Sequence, residues 1–137
     1  MKKYFLLLLL LVAAMGRADE IAANRFLLIV QTSRDTKLQL PTLRNCVSNL
    51  FANRFTQQLH NGDTVGIWTF DDALHAGNFP MQMWDGDAEA ENIAKRADDF
   101  LKKQGSNREA RFAAVLPSLY RVIEDSETLT VLIFSDG

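Results

Sequence analysis

The chain has one cysteine, few prolines and no surplus of positive charge. With Cys46 alone, no intramolecular disulfide can form, so the fold has to be held by burial. Three prolines are too few for an extended proline-rich segment, and no low-complexity tract or internal repeat is present. The seven glycines never fall into Gly-x-Gly-x-x-Gly, and there is no Walker lysine, which removes the common dinucleotide and triphosphate cradles. No Gly-x-Ser-x-Gly elbow offers a hydrolase nucleophile. His60 and His75 have no partner at metal-ligand spacing. Fifteen Lys and Arg against 17 Asp and Glu give a formal charge of −2, with no basic stripe for nucleic acid or for anionic lipid.

A long hydrophobic run occurs once, at the start. Lys2 and Lys3 precede an apolar stretch from Tyr4 to Met15, and Gly16-Arg17-Ala18 is a small-x-small site. This is the pattern of a bacterial-type secretory signal peptide over residues 1–18, cleaved after Ala18. The stretch is shorter than the ~20 residues a helix needs to cross roughly 30 Å of hydrocarbon. No cysteine follows it for lipid attachment. The expectation is an exported protein, periplasmic or secreted, with no stable membrane insertion after cleavage. Residues 19–137 remain as one domain of about 120 residues, enough for a single core. Cleavage also removes three positive charges, leaving the domain more acidic.

From Arg25 onward the chain alternates between strand and helix patterns. Phe26 to Val30 is a continuous apolar run, as expected of a strand covered on both faces. It ends in a polar loop, Gln31 to Thr36. From Pro41 to His60, Leu43, Val47, Leu50, Phe51, Phe55 and Leu59 recur at helical spacing, predicting a helix roughly 30 Å long that Asn61-Gly62 stops. Cys46, beside that stripe, is expected to be a buried small apolar residue. Asp63-Thr64 opens a second strand, Val65 to Phe70. Asp71-Asp72 turns the chain into a short third strand, Ala73 to Phe79, which Pro80 ends. Met81, Met83 and Trp84 are expected in a loop packed over the sheet edge. Asp85-Gly86-Asp87 caps a second helix that Gly105 stops, with acids early and Lys102-Lys103 late, as suits the helix dipole. Ser106-Asn107 opens a third helix through Ile123, in which Pro117 must kink or break the pattern. Leu129 to Phe134 is the last strand, ending at Ser135, Asp136 and Gly137.

The order β-α-β-β-α-α-β predicts an α/β fold, Rossmann-like and doubly wound, with a mainly parallel sheet and one antiparallel edge strand. Right-handed crossovers give a spatial order of 3-2-1-4. The first and last strands are then neighbours, and the polar residues after each face one another where ligands of open α/β sheets bind.

Four segments, in order, carry a resemblance. FLLIVQTSRD stands where a strand would end in Asp-x-Ser-x-Ser, and GDTVGIWTFDD fits a strand with a Gly-Asp-x-Val-Gly opening and a Phe-x-Asp close. QGSNREARFAAVLPSLY fits a loop and helix that would bring a threonine, and VLIFSDG a strand closing on Asp-Gly. Together they resemble the von Willebrand factor A domain over residues 24–137. The resemblance implies a non-enzymatic domain that binds a protein partner through a metal-ion-dependent adhesion site. It would place Mg²⁺ or Mn²⁺ against Gln31, Ser33, Asp35, Asn107 and Asp136. Mg²⁺ takes octahedral oxygen ligands and keeps several waters, so two carboxylates with hydroxyls suffice.

The match departs from the family at several of these positions. The leading Asp falls on Gln31, the second Ser on Asp35 and the Thr on Asn107, with Ser106 one residue away. Ser33 and Asp136 keep the family residue. Two carboxylates survive because Asp35 stands where a serine would. The alternative to the binding domain is an α/β hydrolase or phosphate-binding domain using the same crevice. The resemblance further implies two more parallel strands beyond residue 137, so the chain is expected to be the N-terminal portion of a longer domain. Its last strand would present a bare apolar edge and make the isolated chain poorly soluble.

Overall fold

A computed structural model describes residues 23–136; the expected signal peptide and the last glycine lie outside the described residues. Four strands form a mixed sheet in the order β3-β2-β1-β4, as the crossover rule required. These are β1 (Arg25–Gln31), β2 (Thr64–Phe70), β3 (Leu74–Met83) and β4 (Leu129–Phe134). β1 pairs in parallel with β2 and with β4, and β3 runs antiparallel to β2.

The unbroken apolar run of β1 has a direct structural cause. Phe26, Leu28 and Val30 point into one core and Leu27 and Ile29 into the other, so both faces of the strand are covered. Helices α1 (Leu40–Ala52) and α2 (Asp87–Lys102) cover the first face. Val47, Phe51, Ile93, Ala97 and Leu101 are their buried positions. A bidentate pair joins the two helices, with Arg44 Nε and Nη2 donating to Asp98 at 2.9 and 2.8 Å. Helix α3 (Leu116–Glu124) lies over the other face, where Leu119 and Val122 pack with Val115 against Leu27 and Ile29.

Four expectations change in the structure. The helix after β1 ends at Ala52, well short of His60. Asn53 Oδ1 accepts from Thr56 N at 3.1 Å, and Arg54 to Gln57 form a turn of left-handed backbone with φ between 52° and 65°. This reversal of hand returns Phe55 to the core, where its ring lies 5.1 Å from Phe26 and 5.3 Å from Phe51. Continuous helical spacing in the sequence concealed that break, because both halves bury the same face.

The third strand runs through Pro80 to Met83. It follows β2 with irregular register between Val65 and Ile67 and again between Ile67 and Thr69. Pro80 falls in the first irregular stretch, between the paired residues Phe79 and Gln82, where the ladder is already broken and a missing N–H costs little. Trp84 comes directly after the strand and is 1% exposed. Its ring stacks on Phe51 at 6.3 Å, and its backbone bonds to Asp63 and Gly62.

The third helix starts only at Leu116, with Pro117 in its first turn. There a proline loses nothing, since first-turn N–H groups have no helical acceptor. Ser106 to Arg111 is loop, followed by a 3₁₀ turn at Phe112–Ala114. Cys46, finally, is exposed. It precedes the buried Val47 by one residue, about 100° around the helix, and so misses the core.

At the amino-end pole, Asp63 is buried and holds two loops. Its carboxylate accepts from Asn24 N at 2.7 Å and His60 N at 2.8 Å. The opposite pole carries the polar loops.

Candidate functional site

β1, β2 and β4 all release polar residues at their carboxyl ends. Gln31 is the last residue of β1, and its side chain is buried between the loops after β1 and β4. Gln31 Nε2 donates to Ser33 Oγ at 2.8 Å, and Gln31 Oε1 accepts from Asp136 N at 3.3 Å. The Thr36 hydroxyl donates back to the Gln31 and Ser33 carbonyls at 2.9 and 3.2 Å. These bonds fold the β1 loop onto itself and leave Ser33 fully buried.

The loop from Ser106 to Arg111 crosses in front. Arg34 N donates to Arg108 O at 2.9 Å and Arg111 N to Asp71 O at 2.8 Å. Arg34 approaches both Asp35 and Glu109 at 3.6 Å, and Arg108 pairs with Asp72 at 3.1 Å. Between these loops opens a crevice of about 630 Å³, lined by Gln31, Asp35, Glu109, Phe112, Ile133 and Asp136 among others. Phe112 edges onto Phe70 at 5.5 Å, so aromatic rings and carboxylates line the crevice together. A neighbouring groove of about 380 Å³ runs between β4 and α1, past Thr42, Leu43 and Cys46.

Asp71, at the end of β2, is the most strongly perturbed carboxylate here. Burial raises its pKa, but the Ala73 N–H, the Ser106 hydroxyl and His75 together outweigh that and hold it at about 2. His75 Nε2 lies 3.1 Å from Asp71 Oδ1 and Ala73 N donates to the same oxygen at 3.1 Å. The sequence showed Asp71 only as part of a turn. Its role as the anchor of two loops needs the tertiary approach of Ser106.

Of the five residues that the resemblance assigned to a cation, the structure brings Gln31, Asp35 and Asp136 to one crevice and sets Ser33 directly behind Gln31. Asn107 stands apart, exposed, with its Oδ1 accepting from Lys37 Nζ at 3.0 Å. The donor set as arranged does not fit a divalent cation. The Gln31 amide nitrogen faces the Ser33 oxygen, an ammonium occupies the Asn107 oxygen, and a guanidinium flanks Asp35. Among the described residues no group of three or more His, Cys, Asp or Glu side chains converges as metal ligands. Sequence reasoning did not find Glu109, Phe112 and Ile133, because an amphipathic helix and an apolar strand gave no sign that these positions would open onto a crevice.

No protein-family model matches the chain, and no curated protein matches it. Among solved structures, the three N-terminal domains of the type V pili tip protein Mfa5 from Porphyromonas gingivalis are similar to it, with a TM-score of 0.57 at 10% identity. The match covers 85% of this chain and 20% of that one. At that identity the likeness is one of fold.

Proposed function

We propose that the chain is an exported protein-binding module of the von Willebrand factor A type, which holds its partner at the carboxyl-end crevice and performs no turnover. The observation that carries this reading is the crevice itself. It sets the partly exposed apolar side chains of Phe112 and Ile133 beside the carboxylates of Asp35, Glu109 and Asp136 at the carboxyl end of the sheet. Apolar side chains bordered by polar ones are how protein interfaces are built. The order of the four sequence motifs supports the family. The fold it shares with a domain of a pilus tip protein supports export and a role in contact between proteins. Burial of Ser33 and its bond to Gln31 argue against a hydrolytic nucleophile at this position.

Surface binding on a panel of purified extracellular and cell-surface proteins tests the proposal. Saturable binding by the wild type should fall about tenfold or more in Phe112→Asp and in Asp35→Arg/Asp136→Arg. Glu127→Arg, at the amino-end pole, should bind as the wild type does. Equal binding by all variants, or a loss confined to Glu127→Arg, would place the working surface elsewhere.

A further inference from the structure

We infer that the Gln31 carboxamide takes the place of a cation in this crevice, joining the β1 and β4 loops by hydrogen bonds alone. A cation bridging two loops pulls oxygens together by charge. Here the same two loops are joined by a neutral group that has both a donor and an acceptor. The donor end holds Ser33 Oγ at 2.8 Å and the acceptor end holds Asp136 N at 3.3 Å. Gln31 is 4% exposed and Ser33 fully buried, so the bond to Ser33 is shielded from water, while the bond from Asp136 N lies at the partly open edge of the crevice. Thr36 closes the arrangement by donating to the carbonyls of the two β1-side residues.

A carboxylate at position 31 could accept from the Ser33 hydroxyl and from Asp136 N, but it would add a buried charge beside Asp35 and Asp136. The amide serves both neighbours and adds none. Lys37 on Asn107 and Arg34 on Asp35 continue the pattern, with protein cations placed on oxygens that a metal would otherwise need. Gln31 is therefore a positioning residue, whatever the crevice binds.

The test is a melting experiment on the full chain with millimolar Mg²⁺, Mn²⁺ or EDTA, joined to amide exchange at Asp136. The wild type should melt at one temperature in all three, because no bound ion stabilises the folded state. Gln31→Met, which keeps the size and removes both bonds, should lower the melting temperature by ~5 °C and speed exchange of the Asp136 amide. Gln31→Glu should be destabilised at neutral pH and regain ground on the wild type as pH falls toward ~4, where protonation removes the buried charge. A wild-type melting temperature raised by Mg²⁺ or Mn²⁺, and no longer raised in Asp136→Ala, would overturn the inference. So would unchanged Asp136 exchange in Gln31→Met. The wild-type comparison needs no variant to fold, and none of these readouts involves a binding partner.

Discussion

At the scale of single residues, two side chains have measurable consequences. Asp71 has a folded pKa near 2, below the ordinary carboxylate value of about 3.8. A depressed carboxylate contributes stability that is fully present above the unfolded value and is lost as pH falls through the folded one. Urea unfolding between neutral pH and pH ~2 should therefore show about 2 kcal/mol of pH-dependent stability in the wild type that is absent in Asp71→Asn. Parallel pH profiles for the two proteins would show that the loops are held by other means. Gln57 gives the opposite sign. With φ at 65°, a non-glycine residue there carries roughly 1–2 kcal/mol of backbone strain, and its side chain offers only a long, exposed bond to Asn53 O at 3.4 Å. Part of the relief is offset by the greater freedom of glycine in the unfolded chain. Gln57→Gly should still raise stability by about 0.5–1 kcal/mol in denaturant titration.

At the scale of elements, the sheet was legible in the sequence and the helices were legible only as faces. The continuous run Phe26–Val30 identified a strand buried on both sides, and chirality rules then fixed the order of all four strands. Helix ends were hidden wherever a break kept the buried face in register, as at Asn53, or wherever a proline could serve a first turn equally well, as at Pro117. The site was legible in part, since Gln31, Asp35 and Asp136 do meet across β1 and β4. Asn107 was misplaced because its position depends on a loop tied down by Asp71, and no local pattern encodes that tie. Gly66 shows a similar long-range constraint between β2 and β3. A Cβ built there would lie 2.6 Å from Met81 Sδ, so the Met81 side chain occupies the space a side chain at position 66 would need. Gly66→Ala should cost about 1 kcal/mol by overpacking. Adding Met81→Ala should return most of that Gly66 effect in a double-mutant cycle, and simple additivity of the two changes would rule the contact out.

At the scale of the whole molecule, the two sheet edges differ in kind. β3 is an irregular edge, broken by register shifts and Pro80, which are devices that discourage pairing with another strand. β4 has none of them. Its sequence, Leu-Thr-Val-Leu-Ile-Phe, has no charge, proline or glycine, and among the described residues only β1 pairs with it. Ile133 on this strand is 50% exposed, and Tyr120 and Ile123 on α3 add further exposed apolar surface. A straight, uncharged edge of this composition is a template for intermolecular pairing. The described domain should therefore associate with rising concentration in light scattering. Ile133→Lys places a charge on the open edge and should shift that association to markedly higher concentration, at a cost of about 1 kcal/mol in stability for the half-exposed isoleucine. Met83→Lys makes the same change at the opposite edge, where the original side chain is 64% exposed, and should leave association unaltered. Equal suppression by both variants would point to general surface hydrophobicity. Suppression by Ile133→Lys alone identifies β4 as the edge through which this fold takes up another strand.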